Sequence, residues 1–163
     1  MRIFAGAFLL SLLLAHAGAA EGEKADAVLV VKSEKRLYLL RDEQVLASYR
    51  VTFGGDPKGH KVSQGDQRTP EGAYVLDYKN AGSRYHRSIH VSYPNAADRK
   101  HAAGLGIDPG GDIMIHGQPN GWGWASLALQ LFSWTDGCIA LSDRDMDRVW
   151  EAVDPGTPIE IRP

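Results

Sequence analysis

Two side chains in this sequence form a chemical pair by type. Cys138 is the only cysteine among 163 residues and lies in Thr135-Asp136-Gly137-Cys138-Ile139. Upstream, Ile113-Met114-Ile115-His116-Gly117 is a short apolar run that ends in a histidine. A thiolate attacks carbonyls, and a neighbouring histidine is the residue best able to generate one near neutral pH. The reaction class is acyl transfer through a thioester, with an amine or water releasing the acyl group. The backbone amides of Gly137 and Cys138 would face the developing oxyanion, where one donor is worth roughly 3 kcal/mol of barrier.

A solitary cysteine can instead be an inert packing residue. Two features argue against that here. Gly137 lets the backbone turn sharply and approach a substrate, which plain packing does not require. The chain also opens like an exported one, and an oxidising compartment is a poor place for an idle thiol. After Met1-Arg2, residues Ile3 to Ala15 are almost wholly apolar, and Ala15-His16-Ala17 and Ala17-Gly18-Ala19-Ala20 follow. That is the pattern of a secretory signal peptide over residues 1–20. The run is short for a bilayer span, which needs about 20 apolar residues, so no stable membrane insertion is expected once it is removed. A polar tail over 21–26 and one domain over 27–163 complete the organisation. The net charge of −2, with both signs interspersed, excludes a nucleic-acid-binding surface.

The elements that must position Cys138 and His116 read as mostly β, in a mixed α/β chain. Ala27 to Lys32, Arg36 to Leu40 and Val45 to Phe53 form an antiparallel meander, the last with period-two alternation. Further strands are expected at Ala73–Tyr78, Ser88–Tyr93, Asp112–Ile115, Cys138–Leu141 and Pro158–Ile161. Asn95 can cap a short helix over Ala96–Ala103, and Gly104 to Gly111 reads as irregular. Ala125–Leu131 suits a brief helix. Ser142-Asp143-Arg144-Asp145 resembles a capping box and opens the main C-terminal helix, which runs to about Val153. If His116 ends one strand and Cys138 starts the next in the same sheet, the two side chains meet.

Ile115-His116-Gly117 and Thr135-Asp136-Gly137-Cys138-Ile139 together resemble the signature of the L,D-transpeptidase catalytic domain (YkuD-type), a histidine-glycine followed by [Ser/Thr]-x-Gly-Cys. Thr69-Pro70-Glu71-Gly72-Ala73-Tyr74 is similar to that family's T-P-x-G-x-Y/F element. The resemblance implies a β-sandwich-like fold with Cys138 as nucleophile, His116 as general base and the Gly117 backbone carbonyl orienting the imidazole. It implies a peptidoglycan stem peptide as substrate, attacked at the L centre of meso-diaminopimelate with loss of terminal D-alanine, in the periplasm. The acceptor would be a second diaminopimelate amine, a lysine of a wall-anchored lipoprotein, or water. No cofactor and no metal is implied. Two positions depart from the commoner pattern: Asp136 stands where histidine is usual, and Ala140 where arginine is frequent. Asp136 places a carboxylate near the thiol, which opposes thiolate formation unless the side chain turns away.

Thr135, Asp136, Arg84, Tyr85 and His86 are expected to line the substrate groove, and Trp122 and Trp124 to cover it. His86 and His90 lack a third ligand for a metal. Thr69, Pro70 and Gly72 shape a tight turn. Asp143, Asp145 and Asp147 suit the positive end of a helix better than calcium. The competing functions are a cysteine amidase or endopeptidase with the same residues, and a wall-binding module whose thiol is idle.

Overall fold

The computed structural model describes residues 22–163, so the signal segment lies outside the described residues. Eight strands form one sheet in the order β3-β2-β1-β8-β4-β5-β6-β7. They are β1 (Ala27–Val31), β2 (Arg36–Arg41), β3 (Gln44–Arg50), β4 (Gly72–Asn80), β5 (Ser88–Val91), β6 (Met114–His116), β7 (Ile139–Ala140) and β8 (Thr157–Arg162). The expected meander is present: β1 pairs antiparallel with β2, and β2 with β3. β8 runs parallel to β1 and antiparallel to β4, joining the two ends of the domain at the middle of the sheet.

Alternation fixes which face packs. Val28, Val30, Leu37, Leu39, Ile159 and Ile161 are buried, while their sequence neighbours on these strands are half-buried or exposed. Side chains two apart on a strand share a face, so each strand buries one row. The row continues through Leu76, Ile89, Val91, Ile115 and Ile139.

β3 and β7 lie at opposite edges of the sheet, yet the chain beyond β3 returns to β7. Thr52 and Ala140 exchange both backbone hydrogen bonds, each at 2.9 Å. The sheet therefore curls until its ends meet over the core, which is how one sheet produces the sandwich-like form.

Two helices of ten residues stand outside the sheet, α1 (Ala96–Leu105) and α3 (Asp143–Ala152), so the C-terminal helix is not the single main one. α1 is firm because its ends are closed. The Asn95 side chain accepts from Ala97 and Asp98 amides, Asp98 accepts from the Asn95 amide, and left-handed Gly106 caps the C-terminus. These caps carry the helix through Gly104 and Leu105, which the sequence places in irregular chain. α3 buries Met146, Val149 and Ala152 on one face, and Ser142 Oγ accepts from the Asp145 amide at 3.1 Å. The brief helix is split into a 3-10 turn (Gly123–Ala125) and α2 (Ser126–Leu129).

The polar stretch before β1 is docked at its end rather than free. Ala25 is buried, its amide donates to Ala152 O, and Asp26 donates to Leu40 O. Among the described residues no helix is long and apolar enough to cross a membrane.

Candidate active site

β6 and β7 lie side by side and parallel, with Ile115 opposite Ile139 and His116 opposite Ala140. The same register puts Met114 beside Cys138. Ile115 and Ile139 are fully buried and point into the core. By alternation His116 and Cys138 both project from the other face, as diagonal neighbours. β6 ends at His116, and β7 begins at Ile139, directly after Cys138.

The turn before Cys138 is locked by hydroxyls. Gly137 has φ +119°, and a Cβ there would collide with the Arg68 carbonyl. Thr69 Oγ1 donates to Gly137 O at 2.8 Å, and Thr135 Oγ1 donates to Cys138 O at 2.8 Å. Thr135 Oγ1 also accepts from the Gly137 amide at 3.3 Å. That engages the Gly137 amide, one of the two expected oxyanion donors, with the turn itself. Thr69, read from sequence as a turn former, reaches 68 residues along the chain to hold the loop before Cys138.

The sulfur is half-buried. It accepts from the Met114 amide at 3.4 Å and sits 3.6 Å from Asp112 O, toward which its S–H points. Burial pushes the thiol above the ordinary range. The Met114 amide and Lys61 act against that, while Asp136 and Asp112 add to it. The carboxylate of Asp136 thus opposes ionisation, as its position in the sequence suggests.

His116 is buried, and its Nδ1–H donates to Gly117 O at 2.7 Å. That bond fixes the tautomer and leaves Nε2 as the basic atom. Burial lowers its pKa to about 4, with the Gly117 carbonyl pulling the other way. Burial thus favours the uncharged form of each group, thiol and neutral imidazole. Glycine is required at 117: a Cβ would lie 2.6 Å from His86 O and 2.7 Å from Asp143 Oδ1. Asp143 holds the next residue, its Oδ1 accepting from the Gln118 amide at 2.7 Å.

Aromatic rings frame the imidazole. Tyr85 lies 4.3 Å from it between centroids, tilted by 32°, and Trp134 meets it edge-on at 5.7 Å. A cleft of about 430 Å³ opens over this group, lined by Arg84, Tyr85, Met114, His116, Thr135, Asp136 and Cys138 together with Asn80, Gly82, Ser83, Ser88, Asp112 and Trp134.

Three expected groove residues lie elsewhere. Trp122 and Trp124 stack on each other at 6.2 Å and are 53% and 83% exposed, outside the cleft. The 3-10 turn and α2 carry them away from it on the outer surface. His86 turns to α3, its Nε2 2.8 Å from Asp147 Oδ1, and only its backbone serves the site by accepting from the Gly117 amide at 3.0 Å. His90 pairs with Asp77 at 2.6 Å, so the two histidines diverge. Trp134, Ser88, Asp112 and Asp143 were not singled out for the site from sequence. Only Trp134 carried a signal, by lying directly before Thr135.

A family profile described as the L,D-transpeptidase catalytic domain matches residues 25–161. An Escherichia coli (strain K12) protein named as an L,D-transpeptidase, YafK, is 30% identical over 130 residues, covering 76% of this chain and 45% of its own length. Among solved structures, the helical cell shape determining protein Pgp2 from Campylobacter jejuni aligns with a TM-score of 0.62 at 28% identity, over 83% of this chain and 46% of that one. An L,D-transpeptidase from Mycobacterium smegmatis aligns with a TM-score of 0.56 at 15% identity, over 84% and 58%, and so shares the fold. The chain spans about half the length of YafK and Pgp2.

Proposed function

Because the chain belongs to the L,D-transpeptidase catalytic domain family, we propose that it is a cysteine acyltransferase acting on peptidoglycan stem peptides. The observation that carries this reading is the placement of Cys138 and His116 on one sheet face at the floor of an open cleft, with Nδ1 tied to Gly117 O. An idle thiol would need neither the cleft nor the fixed tautomer.

The first step takes the proton of a neutral thiol. As Cys138 Sγ bonds to the carbonyl carbon at the L centre of diaminopimelate, His116 Nε2 accepts the S–H proton. The Cys138 amide is the oxyanion donor left by the turn. Collapse breaks the C–N bond, Nε2–H protonates the leaving amine, and D-alanine departs from the thioester. In the second step an amine or water attacks that carbonyl and yields a proton to Nε2, which returns it to the departing sulfur. Gly117 O stabilises the imidazolium in both steps, the part the third member of a triad plays. The acceptor is a second diaminopimelate, a lysine of a wall-anchored lipoprotein, or water. The site of action is the periplasm, after removal of residues 1–20. Pgp2 is named a helical cell shape determining protein, and a role in shaping the wall is part of the reading proposed for this chain.

Tetrapeptide muropeptides supplied with a D-amino acid test the proposal. Exchange of terminal D-alanine for the added amino acid is expected, read by mass spectrometry. Tripeptide alone would indicate hydrolysis, and unchanged tetrapeptide with the wild-type domain would refute the acyltransferase reading.

A further inference from the structure

We propose that Ser88 is a positioning residue for the general base, its buried hydroxyl turning its oxygen toward the imidazolium that forms as Cys138 attacks. The inference rests on the acyltransferase reading. Ser88 is opposite His116 in the antiparallel β5–β6 pair. Val91 N donates to Ile113 O at 2.8 Å, which marks that pair as hydrogen-bonded. Alternation along the ladder then makes Ser88 and His116 a non-hydrogen-bonded pair, the closer of the two arrangements, with side chains on one face.

The hydroxyl has no partner. Ser88 is 2% exposed, lines the cleft, and its Oγ makes no hydrogen bond. Leaving a buried hydroxyl unbonded is costly, and such groups call for an explanation. Trp134 Nε1 is likewise unpartnered and lines the same cleft, but an indole N–H only donates and cannot serve a cation. A hydroxyl oxygen can. It rotates freely, so it is silent beside a neutral ring and becomes an acceptor when the ring is charged.

The need for an acceptor is specific to this base. The charged or titratable groups around the cleft are Arg84, Tyr85, Asp112, Asp136 and Cys138. The influences on the His116 charge are burial and the Gly117 carbonyl, with no carboxylate among them. An imidazolium formed there has one fixed acceptor, on Nδ1, while its Nε2–H serves the sulfur and the leaving amine; the Ser88 oxygen adds the negative end of a dipole beside the ring.

The test is Ser88→Ala, which removes one oxygen and little volume. The rate of Cys138 acylation by a carbapenem is followed by intact mass at pH 7, with thermal midpoint and iodoacetamide alkylation at pH 10 as companions. Loss of that oxygen beside the developing charge implies acylation slowed about tenfold. The thermal midpoint is expected to hold or rise, because an unbonded polar atom is removed, and alkylation at pH 10 to stay unchanged, because hydroxide then ionises the thiol without His116. Equal acylation by the two proteins overturns the role of Ser88 while leaving the acyltransferase reading intact. So does a fall in midpoint or in pH 10 alkylation matching the loss of acylation, which marks a structural role. No adduct on the wild type overturns the acyltransferase reading and this inference with it.

Discussion

At the scale of the residue, the site is a neutral pair. Burial raises the Cys138 thiol and lowers His116 to about 4, so both favour their uncharged forms between these limits. Under the proposed reading the histidine is then a base that acts during attack rather than one that stores a thiolate beforehand. Iodoacetamide, which reacts with preformed thiolate, separates the two cases. Its rate with Cys138 is expected to keep climbing past the ordinary thiol pKa of about 8.5, with no plateau at neutral pH, and His116→Gln should leave that profile nearly unchanged. A plateau below pH 7 that vanishes in the variant would establish a resting ion pair instead. Asp136 contributes to the raised thiol, so Asp136→Asn is expected to lower the alkylation midpoint, and an unchanged midpoint would remove the carboxylate from the account.

At the scale of the element, two parallel strands and one turn bring the chemistry together. The two-residue β7 is short, and its register is held from outside by Thr69, Thr135 and the Thr52–Ala140 bridge. Thr69→Val keeps the shape and deletes the bond to Gly137 O, leaving a buried carbonyl unpaired at a cost of about 1–3 kcal/mol. Urea unfolding should show that loss together with slower acylation, and full activity would mean the turn holds without it. Trp124→Ser, by contrast, is expected to change stability by less than about 0.5 kcal/mol, because that ring is 83% exposed. The strands themselves were legible: alternation in Val45 to Phe53 and apolar runs ahead of His116 and after Cys138 place them within a few residues. The expected cover over the cleft by Trp122 and Trp124, neither of which is in its lining, had no such signal. Tryptophans near a cysteine in sequence suggest proximity, but the 3-10 turn that carries Trp124 and leads into α2 decides the direction. Thr69 and Asp143 show the converse, since nothing local in either segment announces a bond to a loop 68 or 25 residues away.

At the scale of the whole molecule, one curled sheet carries both core and cleft, so buried ionisable groups link site and stability. His116 titrates near 6.5 when unfolded and at about 4 in the folded protein. Its neutral form is favoured by folding, so stability is full above about pH 6.5 and declines as pH falls toward 4, by up to about 3 kcal/mol. Asp66, held near 2 by Lys61 and the amides of Ser63, Val62 and Arg68, adds stability above the usual carboxylate pKa that is lost as pH falls toward 2. Chemical denaturation at pH 7 and pH 4.5 should show the first decline in the wild type and a smaller one in His116→Gln; equal declines would place the acid sensitivity elsewhere. The overall class was readable because residues 27–163 are a run of short alternating strands with two segments that match the family signature. The closure of the sheet through Thr52 and Ala140 was not, because it pairs residues that only the finished curl brings together. Nor was the vacant hydroxyl of Ser88, which gains meaning only from the strand opposite.

The most direct measurement is the intact mass of the domain after brief exposure to a tetrapeptide stem. The wild type is expected to gain a tripeptide acyl group on Cys138 and release one D-alanine. Cys138→Ser should gain nothing stable, and His116→Gln should acylate about a hundredfold to ten-thousandfold more slowly. Wild-type acylation at another residue, or on Cys138 at the same rate without His116, would contradict the account.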